Sequence, residues 1–138
     1  MAIIVVTNQA GVGHGYYNED DVVALHRWMQ DQLAIRGAFI DAFYYCMHHP
    51  DARIEKYRGH HVNRKPSPGM ILQVLSDLTI RKDQSFLIGD KESDIEAARG
   101  AGIPGYLFPG GNLATFLDRL LPPRLNQVVS TNASRSAT

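Results

Sequence analysis

A chain of 138 residues in which fourteen Lys and Arg face fourteen Asp and Glu carries no formal net charge. Balanced charge gives no long-range field towards nucleic acid or an anionic membrane, so neither is expected as a partner and any anion must be held locally. A single cysteine, Cys46, rules out an intrachain disulfide and fits a reducing, cytoplasmic setting.

Met1 to Val6 is apolar, but it lacks a basic leading segment and stops at Thr7-Asn8-Gln9. It reads as a strand, neither a signal peptide nor a membrane span. The β-branched run from Ile3 to Val6 suits a strand buried on both faces of a parallel sheet. A loop with three glycines follows, from Asn8 to Tyr17. Asn18 then caps a helix whose first turn, Glu19-Asp20-Asp21, complements the positive end of the helix dipole. Val22, Leu25, Met29 and Leu33 form its apolar face, and it stops before Gly37. Ala42 to Cys46 is a second strand, with Trp28 and Phe43-Tyr44-Tyr45 expected in core and sheet packing.

Met47 to Arg64 has no apolar periodicity and contains His48, His49, His60 and His61, the pattern of a long loop, which in a compact domain is functional or disordered. Ser67 as N-cap and Pro68 as first helical residue start a helix with Ile71, Leu72, Leu75 and Leu78 on its apolar face. Phe86 to Ile88 is a third strand, Ser93 to Arg99 a short helix ended by Gly100, Tyr106 to Phe108 a fourth strand, and Leu113 to Leu121 a closing helix. The remainder, 122–138, opens with Pro122-Pro123, ends in Ser, Thr, Asn and Ala, and reads as a disordered tail.

Strands alternating with helices predict an α/β fold with a mainly parallel sheet, one domain over 1–121. Such sheets bind ligands at the carboxyl ends of their strands. Thr7 and Asp90 stand at such ends, and Lys65 lies just ahead of a helix N-terminus, a favourable place for an anion. The combination suits phosphoryl transfer, which is mostly positioning and charge neutralisation. Thr7 would offer a hydroxyl and Asn8 a backbone N–H to the phosphoryl group, Lys65 a point charge, and Asp90 a ligand for Mg²⁺ with Asp94 nearby. A nucleophile is the part not found; Cys46 does not serve, because no Asp or Glu is placed to orient a histidine beside it.

Four segments carry a family pattern in order: Thr7-Asn8-Gln9-Ala10-Gly11-Val12-Gly13-His14-Gly15-Tyr16, Tyr44-Tyr45-Cys46-Met47-His48-His49-Pro50, Arg64-Lys65-Pro66-Ser67-Pro68-Gly69-Met70, and Gly89-Asp90-Lys91-Glu92-Ser93-Asp94. Through them the chain resembles the haloacid dehalogenase (HAD) superfamily of phosphatases. Within it the likeness is to the branch of D-glycero-D-manno-heptose 1,7-bisphosphate phosphatases and histidinol-phosphatases. The resemblance implies a Rossmann-like HAD core without a large cap domain. It implies a small sugar bisphosphate as substrate, with histidinol phosphate as the alternative, and an aspartyl-phosphate formed with Mg²⁺. It assigns Thr7, Asn8 and Lys65 to the phosphate, Gln9, His14, Arg64 and Lys91 to the rest of the substrate, and Asp90 to Mg²⁺ with Asp94 supporting it. His14 stands where relatives commonly carry arginine, and histidine is only partly charged at neutral pH.

Two departures matter. In the family a strand ending in Asp-x-Asp precedes the Thr-Asn strand, its first aspartate attacking phosphorus and its second acting as general acid and base. This sequence has no such motif. Asp20-Asp21 falls in a helix start and Asp41 opens a later strand. The resemblance puts the absent strand at the centre of the sheet, between Ile3 to Val6 and Phe86 to Ile88. Those two strands are then expected to pair with each other, or to leave N–H and C=O groups open at about 1–3 kcal/mol each. The chain is therefore expected to be a truncated relative, or to begin at an internal methionine of a longer phosphatase, and to be nearly inactive alone. The contrasting reading is a non-catalytic module that binds phosphorylated ligands or pairs with another chain through an exposed sheet edge.

The second departure concerns zinc. Relatives often carry Cys-x-His and then Cys-x-Cys just before Arg-Lys-Pro, four ligands for a structural zinc. Here Cys46 and His48 are in place, but the later pair reads His61-Val62-Asn63. Zn²⁺ on Cys46, His48 and His61, with His60 or His49 as fourth ligand, stands against a metal-free histidine-rich loop.

Overall fold

A computed structural model describes residues 1–121; the expected tail over 122–138 lies outside them. The chain divides into two compact units, Met1–Leu107 and a second that begins at Phe108. The first unit runs through strand β1 (Ile4–Asn8), a single turn of helix α1 (Ala10–Gly13), helix α2 (Glu19–Ile35) and strand β2 (Ala42–Cys46). After a loop with a 3-10 turn at Glu55–Tyr57 come helix α3 (Gly69–Asp77), strand β3 (Leu87–Gly89), helix α4 (Glu92–Ala101) and strand β4 (Gly105–Leu107). In the second unit, helix α5 (Leu113–Leu120) is capped by Asn112, whose side chain accepts from the Thr115 N–H at 3.0 Å.

The caps of α2 follow the sequence, and so does most of its inner face, where Met29 and Leu33 are half-buried in line with Val22. Asn18 and Asp21 form a reciprocal capping box. Yet the buried residues of α2 are Val22 and His26, while Leu25 is exposed. The cause is aromatic: the His26 ring stacks on Phe43 of β2 at 4.3 Å and meets Tyr45 edge-on at 5.5 Å. Trp28, expected in the core, is 59% exposed. In α3 the buried set is Met70, Ile71 and Val74, with Leu72 and Leu78 exposed, and Pro68 rather than Ser67 occupies the cap position. The helix start is fastened by backbone instead, the Gly69 N–H donating to the Val62 carbonyl at 2.8 Å. Helix α4 passes through Gly100 and ends at Gly102, whose φ of 77° is left-handed. Gly100 is tolerated because a side chain there would press on the Pro68 ring.

Every strand pair is parallel. β1 pairs with β2 in the register Ile4↔Ala42 to Asn8↔Cys46, and β3 with β4 from Leu87↔Gly105 to Gly89↔Leu107. The expected single sheet is instead two two-stranded sheets, because β1 and β3 do not pair with each other. Of the two expected outcomes, the open-edge one is realised. Val6 of β1 and Leu87 of β3 nevertheless pack on one core of Ile71, Ala97, Ala98, Ala101 and Ile103, so α3 and α4 support both strands. Each strand is left with an edge that has no strand partner among the described residues.

Candidate functional site

The carboxyl end of β1, the segment leading into α3, and the start of α4 meet around Lys65. The Asn8 side chain grips the Lys65 backbone from both sides: its Oδ1 accepts from the Lys65 N–H at 3.0 Å and its Nδ2 donates to the Lys65 carbonyl at 3.1 Å. The Lys65–Pro66 peptide bond is cis. From this anchor Lys65 Nζ donates to the Val6 carbonyl at 3.1 Å and pairs with Asp94 Oδ1 at 2.5 Å. Both side chains are mostly buried, 13% and 8% exposed, which makes the pair the strongly desolvated one of the site. The other Asp94 oxygen, Oδ2, accepts from the Lys91 N–H at 3.2 Å and so caps α4. Gly89 at the end of β3 leaves the room for this carboxylate; a Cβ there would collide with it.

Thr7, Asn8 and Lys65 are thus brought together, as the sequence expects. Two contacts were not legible: Asn8 acts through its side chain as a clamp, and Asp94 is committed to Lys65 and to the α4 cap. Asp90 is exposed at the tip of β3, beside exposed Lys91. A second chain of bonds leads outward from Thr7. Gln9 Nε2 donates to Thr7 Oγ1 at 3.3 Å, and the Tyr17 hydroxyl donates to Gln9 Oε1 at 2.7 Å. Tyr17 also lines an open cleft of about 370 Å³ bounded by Val12, Glu19, Ile54, Lys56 and Tyr57. α1 falls where the sequence predicts loop, since nothing in four residues holding two glycines predicts a helical turn.

The histidine-rich loop folds back on β2. Its ends are held by backbone bonds between His49 and both Tyr57 and Gly59, and Arg64 Nη1 donates to the His48 carbonyl at 3.4 Å. His14 lies against His49, ring centroids 4.8 Å apart, and against Tyr16 at 5.5 Å. Cys46, His48 and His61 converge: their ligand atoms lie within 4.8 Å of one another. His48 stacks on His61 at 4.3 Å, and burial followed by the neighbouring His61 holds its pKa below the ordinary histidine value. Burial raises the Cys46 thiol, partly opposed by a hydrogen bond from the His48 backbone and the charge of Arg64. His49 and His60, considered as fourth ligands, do not join this group. For Zn²⁺ the donor set of one thiol and two imidazoles is chemically apt, and Asn63 supplies no fourth ligand. For Mg²⁺ the residues fit more thinly: Asp90 is the available carboxylate, and Mg²⁺ tolerates one or two carboxylates with water completing the octahedron.

Among the described residues no helix is long and apolar enough to cross a membrane. The family model for HAD-hydrolase-like proteins matches residues 62–131. The chain is 45% identical over 119 residues to the D-glycero-beta-D-manno-heptose-1,7-bisphosphate 7-phosphatase of Rhodopseudomonas palustris, covering 86% of this chain and 66% of that one. It is 50% identical over 100 residues to the D-glycero-alpha-D-manno-heptose-1,7-bisphosphate 7-phosphatase of Burkholderia mallei, covering 72% and 53%. Its fold is similar to the crystal structure of D,D-heptose 1,7-bisphosphate phosphatase from B. bronchiseptica complexed with magnesium and phosphate, with TM-score 0.71, 29% identity, and 88% and 65% of the two chains covered. The chain therefore spans roughly half to two thirds of the length of these relatives. With a matched family model over half its length and the Asn8, Lys65 and Asp94 cluster at the strand ends, the chain belongs to the HAD-hydrolase-like family.

Proposed function

We propose that this chain carries the phosphate- and metal-binding part of a cytoplasmic phosphatase site for D-glycero-D-manno-heptose 1,7-bisphosphate or a similar small sugar phosphate. The observation that carries the reading is Lys65, clamped by Asn8 and charge-balanced by Asp94 at the carboxyl end of β1. In that role Lys65 supplies positive charge to the phosphoryl group, Thr7 its hydroxyl and Asn8 its backbone N–H. Asp90 would hold Mg²⁺, which would offset charge on the phosphoryl oxygens, with Asp94 as a supporting carboxylate that also holds Lys65. Gln9, His14, Arg64 and Lys91 meet the rest of the substrate, with the cleft at Tyr17 as room for the sugar. Cys46, His48 and His61 would hold Zn²⁺, which would fix the loop that contains Arg64.

The 138 residues contain no Asp-x-Asp, so these residues alone bind the ester without turning it over at ordinary rates. The unpaired edges of β1 and β3 favour a second reading beside this one, in which a further strand from another chain pairs there. The test is titration of the protein with inorganic phosphate and with a sugar bisphosphate in Mg²⁺, followed by calorimetry and by phosphate release. Binding that weakens at least about tenfold in Lys65→Ala, which is 1.4 kcal/mol, is the expected result. Equal affinity in Lys65→Ala overturns the site, and release at roughly 1–10³ per second overturns the statement on turnover.

A further inference from the structure

Resting on the reading of Cys46, His48 and His61 as a metal site, we infer that its fourth coordination position is open, so that the bound ion accepts an exogenous ligand and exchanges. A structural zinc is closed by four protein ligands, whereas a fourth position held by solvent or a small ligand marks a site able to bind something else. The residues that could close the site are engaged elsewhere or stand outside the group. His49 Nδ1 accepts from the Asp51 N–H at 3.0 Å, and its ring faces His14. His60 is exposed and outside the group whose ligand atoms lie within 4.8 Å. The Asn63 side-chain oxygen is turned towards Gly69 at the start of α3, where it fills the space a Cβ would need. Tyr57 meets His48 edge-on at 5.8 Å and offers its ring rather than a donor.

His61 adds a reason for exchange. Its Nδ1 accepts from the Asn63 N–H at 3.0 Å, so this neutral ring carries its proton on Nε2. Ligation at Nδ1 trades that hydrogen bond for the metal bond, and ligation at Nε2 requires the other tautomer, with the proton on Nδ1, which also gives up the bond from the Asn63 N–H. Both lower the net gain on binding below that of a preformed donor. Arg64 supplies the preference for the incoming ligand. Its charge acts on Cys46 and its Nη1 holds the His48 carbonyl, so an anionic donor is favoured over a cationic one.

The experiment is titration of the whole reduced chain with Co²⁺, a spectroscopic stand-in for Zn²⁺, followed by azide. About one equivalent of Co²⁺ should give a near-ultraviolet thiolate charge-transfer band and visible bands of a four-coordinate ion. Both should be lost in Cys46→Ala and kept in His49→Ala and His60→Ala. Azide should shift the visible bands while leaving the thiolate band in place. If the spectrum is four-coordinate but insensitive to azide, or if His49→Ala or His60→Ala removes a ligand, the site is closed and the inference is overturned while the metal reading stands. If Co²⁺ gives no thiolate band, the metal reading itself falls, and the inference with it.

Discussion

Replacing Asp94 by Asn removes the charge that balances Lys65 while leaving an oxygen to accept from the Lys91 N–H. At the observed 2.5 Å, with an effective dielectric constant near 20, the attraction is about 6–7 kcal/mol before desolvation is subtracted. Removing one partner of a buried pair strands the other, at about 3–5 kcal/mol. Lys65 retains the Val6 carbonyl at 3.1 Å and 13% of its side-chain exposure, so the low end, about 3 kcal/mol, is expected. With a urea m-value of about 1–3 kcal/mol/M this lowers the unfolding midpoint by about 1–3 M. The control is Asp83→Ala at the Arg81–Asp83 pair, 3.0 Å apart but 69% and 68% exposed, where less than about 1 kcal/mol is lost. Lys65→Met with Asp94→Leu removes both charges and should recover most of the loss, since no ion is left stranded. If Asp94→Asn shifts the midpoint no more than Asp83→Ala, Lys65 is solvated without its partner and the argument for a charge-balanced cradle fails.

Asn8→Ala deletes both bonds to the Lys65 backbone without touching a charge, and should cost about 1–3 kcal/mol in urea unfolding as well as weakening phosphate binding. Unchanged phosphate affinity would separate the clamp from the site. Burial of His26 against Phe43 lowers its pKa below the ordinary 6.5. The unfolded chain therefore takes up this proton first, and stability present above pH 6.5 is lost as pH falls below it towards the folded value. His26→Phe keeps a ring for the stack and should flatten that part of the stability–pH curve; an unaltered slope would assign the dependence to other groups.

Local sequence settled the features that need only neighbours: the Asn18–Asp21 box, the strand at Ala42–Cys46, and the placing of Thr7 and Asp90 at strand ends. Cys46, His48 and His61 entered one candidate set through the family resemblance, and the fold of the returning loop is what brings their ligand atoms within 4.8 Å. Local spacing also found the buried side of α2, with Val22 buried and Met29 and Leu33 half-buried, but not that Leu25 is exposed and His26 buried, which depends on the stack with Phe43 seventeen residues further on. Tertiary structure alone decided that Asn8 clamps a backbone 57 residues away in sequence, that Asp94 reaches Lys65 across 29 residues, and that β1 and β3 do not pair with each other over a shared core. These rest on where α3 and α4 hold the strands and on the desolvation that ties a buried lysine to one carboxylate, neither of which a local pattern encodes.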